Sequence, residues 1–175
     1  MGAGFEVNFK DDHREFDKLT LNDDSFGQPL DLFNTWFEKA KDSNILDYNA
    51  MTLSTSDGKG DVSSRILYLK GLAESEFCFY TNYDSKKGKD LEVNPKANLL
   101  FFWKELERQI RIKGVVKKMA PELSDEYFYS RPKASQIGAV TSAQSEKIAS
   151  RSTLEDHFEA TKEKFNQEDV KRPKH

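Results

Sequence analysis

The chain has 175 residues, a length that suits one domain with room for a buried core, yet only 37% of them are hydrophobic and 33% are charged. A formal net charge of −3 provides no overall field for nucleic acid or a membrane surface, so any basic cluster must serve a local purpose. The single cysteine, Cys78, excludes an intramolecular disulfide framework and fits a reducing cytosol, while His13, His157 and His175 lack metal-ligand spacing, so no metal is expected.

Residues 1–28 are polar and Asp-rich without lasting periodicity, and they read as an N-terminal arm ahead of one domain over 29–170 and a polar end over 171–175. No apolar run approaches transmembrane length and the N-terminus is too polar for a secretory signal, which predicts a cytoplasmic protein. Pro29 opens a helix whose Leu30, Phe33, Trp36, Phe37 and Ala40 recur at helical steps and can bury one face. From Ala50 the period becomes two. Met51 to Thr55 leads into the turn Ser56-Asp57-Gly58-Lys59-Gly60, and Val62 to Lys70 returns as the partner strand. Glu76 to Asn82 predicts a third strand, with Cys78 as a small buried hydrophobe.

Ser85 to Val93 predicts a short helix capped by Asp84 or Ser85. After Asn94-Pro95, the nearly continuous apolar run Ala97 to Lys104 predicts a strand buried on both faces, and Arg108 to Met119 alternates as a further strand. A helix from Pro121 ends near Ser130-Arg131-Pro132, a short turn covers Ser135 to Val140, and the capping box Ser152-Thr153-Leu154-Glu155 opens the last helix. Consecutive antiparallel strands interrupted by one small helix predict a β-barrel with peripheral helices, an α+β fold, closed or nearly closed.

The start of the short helix breaks a rule. A helix N-terminus carries partial positive charge, yet Lys86, Lys87 and Lys89 stand in its first turn. They form either a solvated face or, with the orphan backbone N–H groups and cations from Arg65 and Lys70, a phosphate site. Strict alternation puts Arg65 and Lys70 on opposite faces, so both can meet ligands only if the strand twists or bulges, or if the ligands lie at its two ends. By pattern alone Tyr80 can be core, Tyr127 and Arg131 a surface pair, and Gln109 a strand residue facing water. No Ser-His-Asp or Cys-His set and no nucleotide loop is apparent, so hard chemistry is expected to belong to a cofactor.

Several motifs in order, Arg65-Ile-Leu-Tyr-Leu-Lys70, Phe79-Tyr-Thr-Asn82, Ser85-Lys-Lys87, Glu107-Arg-Gln109, Tyr127-Phe-Tyr-Ser-Arg-Pro132, Ser135-Gln-Ile-Gly138 and Gln144-Ser145, resemble the pyridoxamine 5′-phosphate oxidase family. The likeness runs from the Pro29 helix to the Ser152 helix. It implies an antiparallel, dimeric FMN-binding split barrel that oxidises pyridoxamine or pyridoxine 5′-phosphate to pyridoxal 5′-phosphate, with dioxygen as acceptor and hydrogen peroxide as product. Position by position, it implies that Arg65, Lys86 and Lys87 hold the FMN phosphate. Ile66, Leu67, Tyr68, Leu69, Lys70, Tyr80 and Thr81 would contact the flavin, Gln109 would reach its edge, and Gln144 with Ser145 would come from the other subunit. Lys70, Tyr127, Arg131 and Ser135 match the positions for the substrate phosphate, and no side chain is assigned a catalytic role because the flavin carries the hydride.

The sequence departs from the family in three places. Lys86 stands where arginine is frequent, which keeps the charge but loses the bidentate fork. Phe16 stands where tyrosine is usual. The family's later Trp-Gly-Gly segment and Arg-Leu-His-Asp-Arg motif do not occur, and a chain ending at His175 would have an open sheet edge and weaker substrate binding. That departure supports a second expectation, an FMN- or pyridoxal phosphate-binding protein of the same fold without oxidase turnover. A flavin reductase using a nicotinamide or deazaflavin donor is a third.

Overall fold

A computed structural model describes Asp17 and residues 27–73, 75–166 and 168–174. The expected N-terminal arm, with Phe16, lies outside these residues except for Asp17, Gly27 and Gln28. Helix α1, Pro29–Asp42, begins with its proline in the first turn and turns Phe33 and Ala40 inward. Strand β1, Ala50–Ser56, alternates between half-buried and buried residues and forms the expected hairpin with β2, Val62–Tyr68. In the turn between them Gly60 has φ +99, and the Asp57 carboxylate accepts from the backbone N–H groups of Lys59 and Asp61.

The chain then leaves the first sheet. Strands β3, Gly71–Ala73, and β4, Glu76–Cys78, pair with each other alone. The expected strand over Glu76 to Asn82 is therefore only three residues long, because Phe79 to Asn82 step off the ladder toward the helix that starts at Lys86. Strand β5, Lys96–Trp103, and β6, Arg108–Val115, complete a four-stranded antiparallel sheet in the order β2-β1-β5-β6. β5 is not buried on both faces as its apolar run suggests. Leu99, Phe101 and Trp103 face inward, whereas Phe102 points out and is 53% exposed.

Residues from both sheets converge on one core of Phe33, Ala40, Met51, Leu53, Leu69, Leu99, Phe101 and Trp103, with Leu72, Phe77 and Phe79 packed against it. The barrel is thus split into two sheets that share an interior. Phe33 anchors it with edge-on contacts to Phe77 and Phe101 at ring-centroid distances of 4.9 and 5.4 Å. Trp103 Nε1 donates to the Tyr48 carbonyl oxygen at 2.7 Å.

The helices sit outside. α2, Lys86–Val93, follows the cap Ser85. α3, Pro121–Ser130, is followed by α4, Lys133–Thr141, a full helix where only a turn was expected, and by α5, Arg151–Lys164. The cap of α5 is Ser150, whose hydroxyl accepts from Thr153 N at 3.1 Å, not Ser152. Glu155, the expected reciprocal member of the box, is paired with Arg151 at 2.7 Å. A second core of Phe128, Ile137 and Val170 joins α3, α4 and the C-terminal stretch. No helix among the described residues is long and apolar enough to cross a membrane.

Candidate functional site

Parity decides where the residues of β2 go. Arg65 pairs with Leu53, which in turn pairs with Leu99, so Arg65 shares the inner face; Ile66 and Tyr68 share the outer face with Phe102 and Gln109. β2 stops at Tyr68, and Lys70 N already donates to the Cys78 carbonyl oxygen at 2.8 Å in the second sheet. Arg65 and Lys70 therefore serve opposite ends of this segment, which resolves their odd spacing.

At the Arg65 end lies a small cavity of about 280 Å³ lined by Arg65, Ile66, Leu67, Lys87, Gln144 and Ser145. Ser85 caps α2, and Lys87 in the first turn points back so that its Nζ donates to Ser85 Oγ at 3.0 Å and to Gln144 Oε1 at 2.5 Å. Lys87 is only 5% exposed. Burial, and then the neighbouring Arg65 cation, push its pKa below the ordinary lysine value. Burial likewise lowers that of Arg65, against an opposing pull from Asp90. Gln144 reaches Lys87 from the same chain, across 57 residues, because the loop after α4 folds back over the α2 N-terminus. Gln144 and Ser145, expected from the other subunit, thus line this cavity within one chain as well. Ser145 itself has φ +73.

Lys86 does not line either cavity. Its Nζ is 2.7 Å from Asp90 Oδ1 one turn along the helix, so its charge is already matched. Gln109 also stands apart, exposed on the outer sheet face opposite Phe102. Leu69 is core, and Tyr68 is half-exposed.

At the other end a wider cavity of about 1310 Å³ includes Tyr80, Thr81, Tyr127, Arg131, Ser135 and Arg172 in its wall. Tyr80 stacks on Tyr127 with centroids 3.7 Å apart and planes within 6°. Two cations, Lys70 Nζ and Arg131 Cζ, lie 5.8 and 5.9 Å from the Tyr127 ring centroid. Tyr80 donates from its hydroxyl to the Leu123 carbonyl oxygen at 3.4 Å, and its pKa is pushed up to about 12 by burial and then by the Cys78 thiol. Thr81 Oγ1 is buried with no hydrogen-bond partner among the described residues, and so can serve a ligand. Arg172 was not foreseen here; its Nε donates to Asp125 Oδ1 at 2.5 Å, holding the C-terminal stretch against the cavity. Thr55 and Asp90, which contact Arg65 and Lys86, were also missed. The spacing of Lys86 and Asp90 was the available signal.

Two antiparallel sheets around one interior, peripheral helices and a helix-capped basic pocket define the class: a split β-barrel of the FMN-binding type. Comparison with known proteins agrees. The sequence model of the pyridoxamine 5′-phosphate oxidase family matches residues 37–165. A pyridoxine/pyridoxamine 5′-phosphate oxidase of Leptospira interrogans serogroup Icterohaemorrhagiae serovar copenhageni is 48% identical over 153 residues, 87% of this chain and 72% of the relative. Among solved structures, PhzG from Burkholderia lata 383 in complex with tetrahydrophenazine-1-carboxylic acid superposes with a TM-score of 0.80 at 24% identity, covering 87% of this chain and 74% of that one. A pyridoxamine 5′-phosphate oxidase-related, FMN binding protein of Nostoc punctiforme PCC 73102 does so with a TM-score of 0.56 at 16% identity, over 74% and 72% of the two chains. The chain belongs to the pyridoxamine 5′-phosphate oxidase family.

Proposed function

We propose that the chain binds FMN with its phosphate between Arg65 and Lys87, and oxidises pyridoxamine or pyridoxine 5′-phosphate to pyridoxal 5′-phosphate with dioxygen as acceptor. The observation that carries this reading is Lys87: a buried ammonium beside a second cation, with only neutral hydrogen-bond partners among the described residues. A buried charge of this kind is costly unless an anion meets it, and a phosphate at the α2 N-terminus would also gain the helix dipole and free N–H groups. When bound, FMN supplies the two-electron chemistry, taking a hydride from the exocyclic carbon of the substrate and reducing dioxygen to hydrogen peroxide. The chain's own residues orient. Lys70, Arg131 and the Ser135 hydroxyl would grip the substrate phosphate around Tyr127, and this fixes the reacting carbon by proximity, without a poised acid or base.

The test is to mix purified protein with FMN and pyridoxine 5′-phosphate and follow pyridoxal 5′-phosphate and peroxide together. Flavin binding without peroxide would instead support a flavin- or pyridoxal phosphate-binding protein without turnover. Within the proposed site, Arg131→Ala is expected to raise the substrate KM roughly tenfold, the worth of one charge-assisted phosphate contact, while FMN affinity stays within about twofold. Equal losses for both ligands would remove Arg131 from the substrate side.

The same reading includes a homodimer. Ile66, Tyr68 and Phe102 are 62%, 43% and 53% exposed on one sheet face, an apolar surface of the kind that mates with a partner, and Gln109 stands among them. Sedimentation should show a dimer for the native chain and a folded monomer for Phe102→Glu. A native monomer would count against this face as the contact.

A further inference from the structure

Asp90 is a carboxylate only 3% exposed on α2, and both of its oxygens are engaged. Oδ1 accepts from Lys86 Nζ at 2.7 Å and Oδ2 accepts from the Thr55 hydroxyl at 2.8 Å. Burial pushes the Asp90 carboxyl up, but the bonds from Lys86 and Thr55 outweigh it and leave its pKa below the ordinary value. An ionised carboxylate only accepts, so the Thr55 proton points at Asp90 and the lone pairs of the hydroxyl face Arg65. Arg65 Nη1 donates to that oxygen at 2.8 Å and to the Leu53 carbonyl oxygen at 3.2 Å, while Nη2 donates to the Ser63 hydroxyl.

These contacts use both Nη1 hydrogens and one of the two on Nη2. Among the described residues the Nε hydrogen and one Nη2 hydrogen are left for a ligand, and a guanidinium can fork such a pair onto two oxygens of one phosphate. A plain helix-stabilising pair between Lys86 and Asp90 would need neither a buried carboxylate nor a buried threonine, and Thr55 is 2% exposed.

We propose that Thr55 and Asp90 are positioning residues: Asp90, acting through the Thr55 hydroxyl, turns Arg65 so that its Nε–Nη2 edge meets the phosphate, and by pairing with Lys86 keeps that cation out of the pocket. This rests on the reading that the small cavity takes the FMN phosphate. On that reading the chain Asp90–Thr55–Arg65 serves the phosphate and not the ring, so its loss should be felt by FMN and not by riboflavin, which lacks the phosphate.

The experiment is a fluorescence titration of the full chain with FMN and with riboflavin. In Thr55→Val, which keeps shape and removes the hydroxyl, the preference for FMN over riboflavin should fall about tenfold while riboflavin affinity stays within about twofold. Thr55→Ser should restore the preference. Should the valine protein not fold, Thr55→Ala carries the same comparison with the same rescue. An unchanged preference in the hydroxyl-free variant, or equal loss of both ligands, overturns the positioning role while leaving the phosphate site standing. A native chain that binds riboflavin as tightly as FMN overturns the phosphate site itself, and the positioning role with it.

Discussion

Lys87→Met is expected to lower FMN affinity about 100-fold, to leave riboflavin binding unchanged, and to leave the flavin-free protein as stable as the native one or more so. The binding loss follows from removing a buried cation from a phosphate, about 3 kcal/mol for a desolvated charge-assisted contact. The stability result has the opposite sign for a reason visible in the pocket. The depressed pKa of Lys87 means that folding disfavours its charged form, a penalty present at neutral pH and relieved only as pH rises through the lowered value. Methionine fills the same space without that charge, Ser85 Oγ still accepts from Gly88 N, and Gln144 is exposed so water can serve it. Titration with both flavins and a thermal melt without flavin check the two halves. Lys86→Met is the comparison: its charge is spent on Asp90 and acts on the pocket only through that residue, so it should lower FMN affinity clearly less than Lys87→Met does. If Lys87→Met retained FMN affinity to within threefold, the phosphate would have to lie elsewhere.

Gly88→Ala is expected to cost about 2 to 3 kcal/mol of stability and roughly 5 to 10 °C in Tm. A Cβ at Gly88 would stand 1.9 Å from the Tyr83 carbonyl oxygen and 2.5 Å from its carbon, so backbone must move and no side chain can yield instead. Alanine's better helix propensity returns only about 1 kcal/mol. Since Gly88 follows Lys87 in the first turn of α2, the displaced helix should also bind FMN less well. Gly114→Ala is the control. Nothing lies within 4 Å of its added carbon, and its stability should change by less than about 0.5 kcal/mol. Equal melting temperatures for the two variants would mean that the close approach at Tyr83 is not maintained in solution.

Much of this architecture is legible from local signals. Pro29 marks a helix start, Ser85 caps α2, and the Asp57 to Gly60 turn with flanking alternation announces the β1–β2 hairpin. The misreadings share a cause, which is that a local rule was satisfied by the wrong partner. Ser152 and Glu155 fit a capping box, but Arg151 takes Glu155 and Ser150 takes the cap. The apolar run of β5 looks buried on both sides, though only alternate residues face the core and Phe102 points outward. In the site, the lysines at the start of α2 were conspicuous because they oppose the helix dipole. Which of them faces a ligand was not, since Lys86 and Lys87 are distinguished only by Asp90 on one side and Gln144 on the other. The meeting of Gln144 with Lys87 is a tertiary event that no local spacing encodes.

The small cavity draws its walls from β2, the first turn of α2 and the loop after α4. An anion seated there would act as a clasp, fastening stretches of chain that the backbone alone leaves far apart. Occupancy and resistance to unfolding then become linked by mass action, so the supply of flavin phosphate would help decide how long each molecule stays folded.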